Sequence, residues 1–285
     1  MSAQLLRGMD VAQKIRGQIK EEMESLKQKT GKVPGLAVVL VGENPASQTY
    51  VKHKERTSKK LGFYSEVHRL PAKTTQAELL HLVEELNNSE HIHGILVQLP
   101  LLEHIKEEAV IHAISAEKDV DGFHPLNVGK LVIGERCYIP CTAYGVIKML
   151  EHAGIELQGK HAVVVGRSNI VGKPVALLLL ERHATVTVCH SRTANLAELC
   201  RSADVLVVAV GRPEMIKGSW IKPGAVVIDV GINRVGGKLV GDVDFNAAKE
   251  VASWITPVPG GVGPMTITML MVNTLQSFKY KLFQR

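Results

Sequence analysis

Along the first half of the chain, stretches with helical spacing of apolar residues alternate with short runs that are apolar throughout. Residues 9–29 repeat apolar positions at the helical period and stop at Gly31 and Pro34, which predicts an amphipathic helix. "GLAVVLVG" (35–42) is apolar at nearly every position, the pattern of a strand covered on both faces. "ENPA" opens a second helix, with Asn44 placed to cap it and Pro45 suited to its first turn. The strand "YSEVHRL" (64–70), a helix over about 75–87 and the strand "GILVQL" (94–99) follow. This order predicts a parallel sheet wrapped by helices. "KDVDGFHPLN" (118–127) has the composition of a loop.

A second alternating series starts at "CTAYGVIKMLEHAG", predicted as a linking helix. It runs through strand "HAVVVG", helix "VGKPVALLLLER", strand "TVTVCH", helix "NLAELCR", and strands "DVLVVAV" and "AVVIDVG". A long last helix, over about 265–283, follows "PVPGGVGPMT". The predicted fold is therefore α/β, in two domains that meet near residue 140.

Composition narrows the function. A chain of 285 residues suits two cores, and with aromatics at 4% their packing must be aliphatic. The net charge of +6 suits an anionic ligand. Lys and Arg are dispersed, however, with no basic tail and no zinc-finger or RNA-binding signature, so no nucleic-acid partner is expected. Cys137, Cys141, Cys189 and Cys200 form no C-x-x-C pair, and they are expected to be reduced, buried thiols with no metal. No apolar run approaches the roughly 18 residues of a membrane span. The N-terminal "MSAQLLRGMD" leads into an acid-containing helix and not a signal sequence, so the expected location is the cytoplasm.

One charged stretch stands apart. "ASQTYVKHKERTSKK" (46–60) holds six basic side chains in fifteen positions. On a helical wheel Ala46, Tyr50, Thr57 and Leu61 share a stripe, while Lys52 and Lys59 point the opposite way into water. Lys54 lies roughly 50° from the stripe, beside Ser47 and four residues after Tyr50. Most of the charge is a solvated face, and Lys54 is the exception. Short-chain dehydrogenases also use a Tyr-x-x-x-Lys pair, but there it follows the nucleotide fingerprint within one domain. Here it precedes the candidate nucleotide loop by more than a hundred residues, which argues against that reading.

That loop is "VVVGRSNIVGKP" (163–174): a glycine after a strand, a polar turn, and a glycine where a helix begins. Small residues there let backbone N–H groups and a helix N-terminus approach a pyrophosphate. It is not G-x-G-x-x-G, and the same pattern also serves as a plain structural turn. The next strand ends in His190-Ser191-Arg192, where a site preferring NAD usually carries an acid for the ribose 2′-hydroxyl. Arg192 and Ser191, with Arg167, would instead hold a 2′-phosphate, which points to NADP.

"VLVGENPASQTYVKHK", "GILVQLPL", "KDVDGFHPLNVGKL", "GRSNIVGKP", "DVGINR", "GDVDF" and "TPVPGGVGPMT" resemble, in order, the signature segments of the bifunctional methylenetetrahydrofolate dehydrogenase/cyclohydrolase (FolD) family. The resemblance covers nearly the whole chain. It implies oxidation of 5,10-methylenetetrahydrofolate by NADP and hydrolysis of the methenyl product to 10-formyltetrahydrofolate. It also implies a folate-binding catalytic domain (1–140 plus 266–285, the last helix returning to it), a Rossmann-like NADP domain (141–265), a cleft for folate, and a homodimer.

In those roles, Lys54 is the base of the hydrolytic step, its pKa lowered by partial burial and by Lys52, His53 and Arg56. Gln98 or Ser47 would aim it, Tyr50 would stack on or orient the folate rings, and Asp121 would pair with the pterin edge, with Asp119 as its near neighbour. Leu99, Pro259, Gly260 and Gly263 complete the expected folate contacts. Gly166, Arg167, Ser168, Val171, Gly172, His190, Ser191, Arg192 and Ile232 are the expected cofactor contacts. Two positions depart from the usual pattern: Ala143 and Leu102 stand where proline is common. Two alternatives remain: a dehydrogenase without the hydrolytic activity, or acting on another substrate, and a non-catalytic nucleotide-sensing or nucleic-acid-binding protein of the same architecture.

Overall fold

A computed structural model describes residues 2–283. They divide into two compact units, one of residues 14–141 and 267–283, the other of residues 2–13 and 142–266. The chain opens with a two-residue strand, β1 (Gln4–Leu5), and runs into α1 (Gly8–Thr30).

The first unit is built on a three-stranded parallel sheet. β2 (Gly35–Val41) lies between β3 (Tyr64–Leu70) and β4 (Gly94–Val97). Every residue of β2 and β4 is buried, which accounts for their unbroken apolar sequences, whereas the edge strand β3 is half-exposed and mixed. α2 (Pro45–Lys60) starts as its sequence predicts: Asn44 Oδ1 accepts from Ala46 N at 3.0 Å and Ser47 N at 3.1 Å, with Pro45 in the first turn. α3 (Gln76–Asn88) opens on a reciprocal capping box between Thr75 and Glu78. Leu79 and Val83 of α3 pack on Ala37, Val39 and Ile95 of the sheet, an aliphatic core throughout.

Two short helices complete this part, α4 (Glu107–Ala113) and α5 (Pro125–Ile133). The second corrects the loop expected over 118–127. His124 Nδ1 accepts from Leu126 N at 3.1 Å, and Pro125 occupies the first turn, so the last residues of that stretch already start a helix. The α4 segment carries no strong periodic pattern, so the sequence does not mark it as a helix.

The second unit begins with α6 (Cys141–His152). It then alternates β5 (His161–Val165), α7 (Gly172–Glu181), β6 (Thr185–Cys189), α8 (Leu196–Ser202), β7 (Val205–Val208) and β8 (Val226–Asp229). A hairpin of β9 (Asn233–Val235) and β10 (Lys238–Val240), the short α9 (Phe245–Ala248) and β11 (Trp254–Ile255) follow. The six-stranded sheet is parallel, in the order β1-β11-β8-β7-β5-β6.

Here the expected boundaries need correcting. Gln4 and Leu5 pair with Trp254 and Ile255, so the N-terminal residues extend this sheet and do not belong to the first domain. A two-residue edge strand with both positions exposed leaves no periodic trace. The last helix, α10 (Val262–Phe283), begins three residues before the predicted start; Pro264 falls in its first turn, where no N–H is needed. Within the first unit α10 packs on α1, with Arg16 Nε donating to Thr268 Oγ1 at 2.8 Å and Lys279 pairing with Glu22. Among the described residues no helix is long and apolar enough to cross a membrane.

Candidate active site and cofactor loop

The inward face of α2 is polar. Its buried residues are Ser47, Val51, Lys54 and Ser58, and Lys54 is only 6% exposed. This corrects the predicted stripe: Ala46 is exposed, Tyr50 and Thr57 are half-buried, and Lys54 sits in the middle of the buried face. Apolar periodicity misplaced the face because three of its four buried residues are polar.

Lys54 Nζ donates to Gln98 Oε1 at 2.9 Å. Gln98 is fixed on its other side, with Nε2 donating to Leu99 O at 2.7 Å and its backbone N to Val39 O at 2.8 Å. The amide is thereby oriented with its oxygen on the amine. Burial lowers the Lys54 pKa from the usual lysine value, and the nearby Asp121 and Cys141 pull it partway back up. The expected contributions from Lys52, His53 and Arg56 do not enter; desolvation acts alone on the lowering side.

The two acids of "KDVDGF" separate cleanly. Asp119, 2% exposed, accepts from Phe123 N (3.2 Å), His124 N (2.8 Å) and Asn127 Nδ2 (2.8 Å), so it organises the loop. Burial nevertheless lifts its pKa to about 7. Asp121 is the acid that faces Lys54: burial raises its pKa, and Lys54 and a hydrogen bond with Cys141 lower it. Lys54, Gln98 and Asp121 thus form one constellation, with Ser47 and half-buried Tyr50 on the same helix and Leu99 beside Gln98.

Sequence reasoning missed two neighbours. Cys141 is the reduced, buried thiol expected, but it also lies beside Asp121, its pKa raised well above normal by burial, and its Sγ donates to Val120 O at 3.3 Å. Asn273 on α10, 1% exposed, donates to Val120 O and Ile139 O at 2.9 Å each, bracketing the Asp121 loop. No local motif marks Asn273; only the return of α10 brings it there.

The expected cofactor residues lie on the second unit, at the C-terminal ends of its strands. Gly166 follows β5, His190 to Arg192 follow β6, and Ile232 lies three residues past the end of β8. β5 is flanked by β6 and β7, reached by connections in opposite directions, which is the switch point where such sheets bind ligands. The turn after β5 needs its glycines. A Cβ on Gly166, at φ +134°, would lie 2.3 Å from Ala209 O, and one on Gly172 would lie 2.2 Å from Gly166 O. Ser168 Oγ accepts from Val171 N at 3.2 Å and Gly172 N at 3.3 Å, shaping the entry to α7.

Around this turn Arg167, Ser168, Ser191 and Arg192 are exposed, and Ile232 is 44% exposed. Arg192 N donates to His190 Nδ1 at 3.1 Å, which tightens the turn while leaving the guanidinium outward. An exposed arginine pair at a glycine turn and a helix N-terminus fits a phosphorylated dinucleotide. Pro259 and Gly260 lie in the segment entering α10 and Gly263 in its first turn, all within this second unit; Gly260 has φ +101° and accepts from Met9 N at 3.3 Å. Among the described residues no group of three or more His, Cys, Asp or Glu could hold a metal ion.

These features define a two-domain α/β enzyme with a buried amine in one unit and a dinucleotide-binding turn in the other. Comparison with known proteins gives the family. Residues 6–121 match the catalytic-domain model of tetrahydrofolate dehydrogenase/cyclohydrolase, and residues 140–282 match its NAD(P)-binding-domain model. The bifunctional protein FolD of Moorella thermoacetica is 64% identical over 97% of this chain and 99% of its own. The crystal structure of the bifunctional FolD enzyme of Campylobacter jejuni is 49% identical, with a TM-score of 0.96 over 98% of this chain and 100% of that one. The Trypanosoma brucei enzyme, solved with NADP cofactor and inhibitor, is 44% identical, with a TM-score of 0.96 over 99% of both chains. The chain belongs to the tetrahydrofolate dehydrogenase/cyclohydrolase family, as a bifunctional enzyme of one-carbon folate metabolism.

Proposed function

We propose that the protein oxidises 5,10-methylenetetrahydrofolate with NADP and hydrolyses the methenyl product at Lys54, with NADP preferred over NAD. The observation that carries the hydrolytic half is the desolvated Lys54 amine aimed by Gln98. Residues 14–141 and 267–283 act as the folate-binding catalytic part, and the second unit as the cofactor part. The chain works as a homodimer, by likeness to its family.

Bound NADP supplies the hydride acceptor for the first step. That step yields a cation already delocalised over two nitrogens, so the protein's task is alignment more than strong base chemistry. Tyr50 orients the folate rings and Asp121 accepts from the donor edge of the pterin. Hydrolysis makes a different demand, because water must lose a proton as it attacks the amidinium carbon. Lys54 Nζ, its pKa lowered by desolvation, takes that proton and later returns it to the departing nitrogen. Gln98, being neutral, orients the amine without holding a proton on it. Arg167, Ser191 and Arg192 hold the 2′-phosphate of the cofactor, and the Gly166–Gly172 turn accepts its pyrophosphate.

The test is a pair of assays on the purified protein. Methylenetetrahydrofolate with NADP should generate NADPH, and methenyltetrahydrofolate should lose its absorbance faster than in buffer. Absence of NADPH formation overturns the oxidative assignment, and NADPH without accelerated hydrolysis reduces the protein to a dehydrogenase.

A further inference from the structure

We propose that the first unit carries a second ligand site, a basic cavity that takes a small multivalent oxyanion. The cavity, about 1100 Å³, lies at the opposite end of β4 from the Lys54 constellation: His93, just before β4, lines it, whereas Gln98 follows the last residue of that strand. Lys54 and Asp121 are not in its wall.

Its positive charge is organised and in excess. Lys118, 9% exposed, is anchored by Leu86 O, Asn87 O and Ser89 O at 3.0, 2.7 and 2.7 Å, so its ammonium is a fixed charge in the wall. Lys130 enters from α5, Arg136 from the loop after it, and Lys281 from α10. The Arg136 guanidinium lies 3.8 Å from the centroid of the Tyr280 ring; stacking of this kind holds the fork flat with its N–H edges outward. Glu117 is the one carboxylate in the lining. Four cations against that carboxylate leave an excess of three, and among the described residues none of the four cations is in an ion pair.

The same field reaches the neighbours. His93 is pushed down to about 4, chiefly by burial and then by Lys281 and Lys118, while Lys118 falls to about 8 for like reasons. At neutral pH Lys118 therefore stays charged and His93 stays neutral. Concave walls with an excess of one sign of charge focus the potential on a counter-ion, and the volume lies just above the usual range of small-molecule sites. A single negative charge would leave most of the excess standing, so the occupant is multivalent. A short phosphate chain and a polycarboxylate share that chemistry. Asn127, in the cavity wall, donates to Asp119, so the occupant adjoins the loop leading to Asp121 without entering the Lys54 site.

Calorimetric titration tests this with NADP and 5-formyltetrahydrofolate both at saturation, each verified by its own titration, so that the cofactor turn and folate site are filled. Tripolyphosphate and tricarballylate are titrated separately. At least one should bind saturably at one equivalent per chain, and whichever binds more tightly identifies the preferred oxyanion. The Arg136→Ala/Lys281→Ala double variant should bind about tenfold more weakly or worse while forming NADPH at the wild-type rate. Arg136→Lys, which keeps the charge, should recover part of the affinity lost in Arg136→Ala. Failure of both probes to bind saturably, or equal affinity in the double variant, would overturn the site.

Discussion

The two halves of this enzyme prepare for their ligands in opposite ways. Around Lys54 the polar groups are buried or half-buried and already bonded: amine to amide, amide to Leu99 O, and the Cys141 thiol to Val120 O. Around the cofactor turn the charged and hydroxyl groups are exposed, and the ordered bonds are those of the turn itself. With the roles proposed above, the difference follows from the chemistry asked of each. Moving a proton at neutral pH requires a lysine whose pKa has been lowered, and only desolvation achieves that here. Holding a phosphorylated dinucleotide requires full positive charge, which is kept at least cost in water.

The comparison breaks most sharply at Lys54. Lys54→Met should lower methenyltetrahydrofolate hydrolysis by roughly 10²- to 10⁴-fold, the usual worth of a positioned acid–base group, while a folate titration still shows binding. Unchanged hydrolysis would make the buried amine structural. Gln98→Glu is the next largest. A carboxylate 2.9 Å from Nζ would hold the proton on, raising the Lys54 pKa and slowing hydrolysis at pH 7 by about tenfold or more. A faster variant would show that charge, not neutrality, is wanted there.

Much of the contrast was legible in the chain, and the illegible part has a physical cause. Fully buried strands such as β2 and β4 announce themselves by unbroken apolar runs, and Asn44-Pro45 marks the start of α2. Lys54 and the glycine turn could be singled out from residue type and order, and the family resemblance added Gln98. What the pattern hid was the orientation of α2, since Ser47, Lys54 and Ser58 occupy positions that periodicity reserves for apolar side chains. Tertiary returns were equally silent: β1 joins the far sheet edge through two exposed residues, and Asn273 reaches Val120 O from 153 positions away.

On the exposed side the expected effects are smaller. Arg192→Ala should reduce the preference for NADP over NAD by about 10- to 100-fold, the worth of one charge-assisted contact of roughly 1.5–3 kcal/mol. Equal preference before and after would remove Arg192 from the cofactor site. Ser168→Ala should matter least. It deletes acceptor bonds to Val171 N and Gly172 N at an exposed helix entry, worth about 1 kcal/mol, visible as a modest rise in KM for NADP with hydrolysis unaffected. A hydrolytic defect in that variant would contradict the division of labour between the two units.

The most direct measurement is the pH dependence of kcat for methenyltetrahydrofolate hydrolysis, in the wild type and in Asp121→Asn. Desolvation lowers the Lys54 pKa and the Asp121 charge opposes it. The wild-type rate should therefore rise with pH through an ionisation below 10.5, and removal of the carboxylate should move that rise to lower pH. An ionisation that stays in place without the Asp121 charge, or that persists in Lys54→Met, would contradict the assignment of Lys54 as the group that takes the proton.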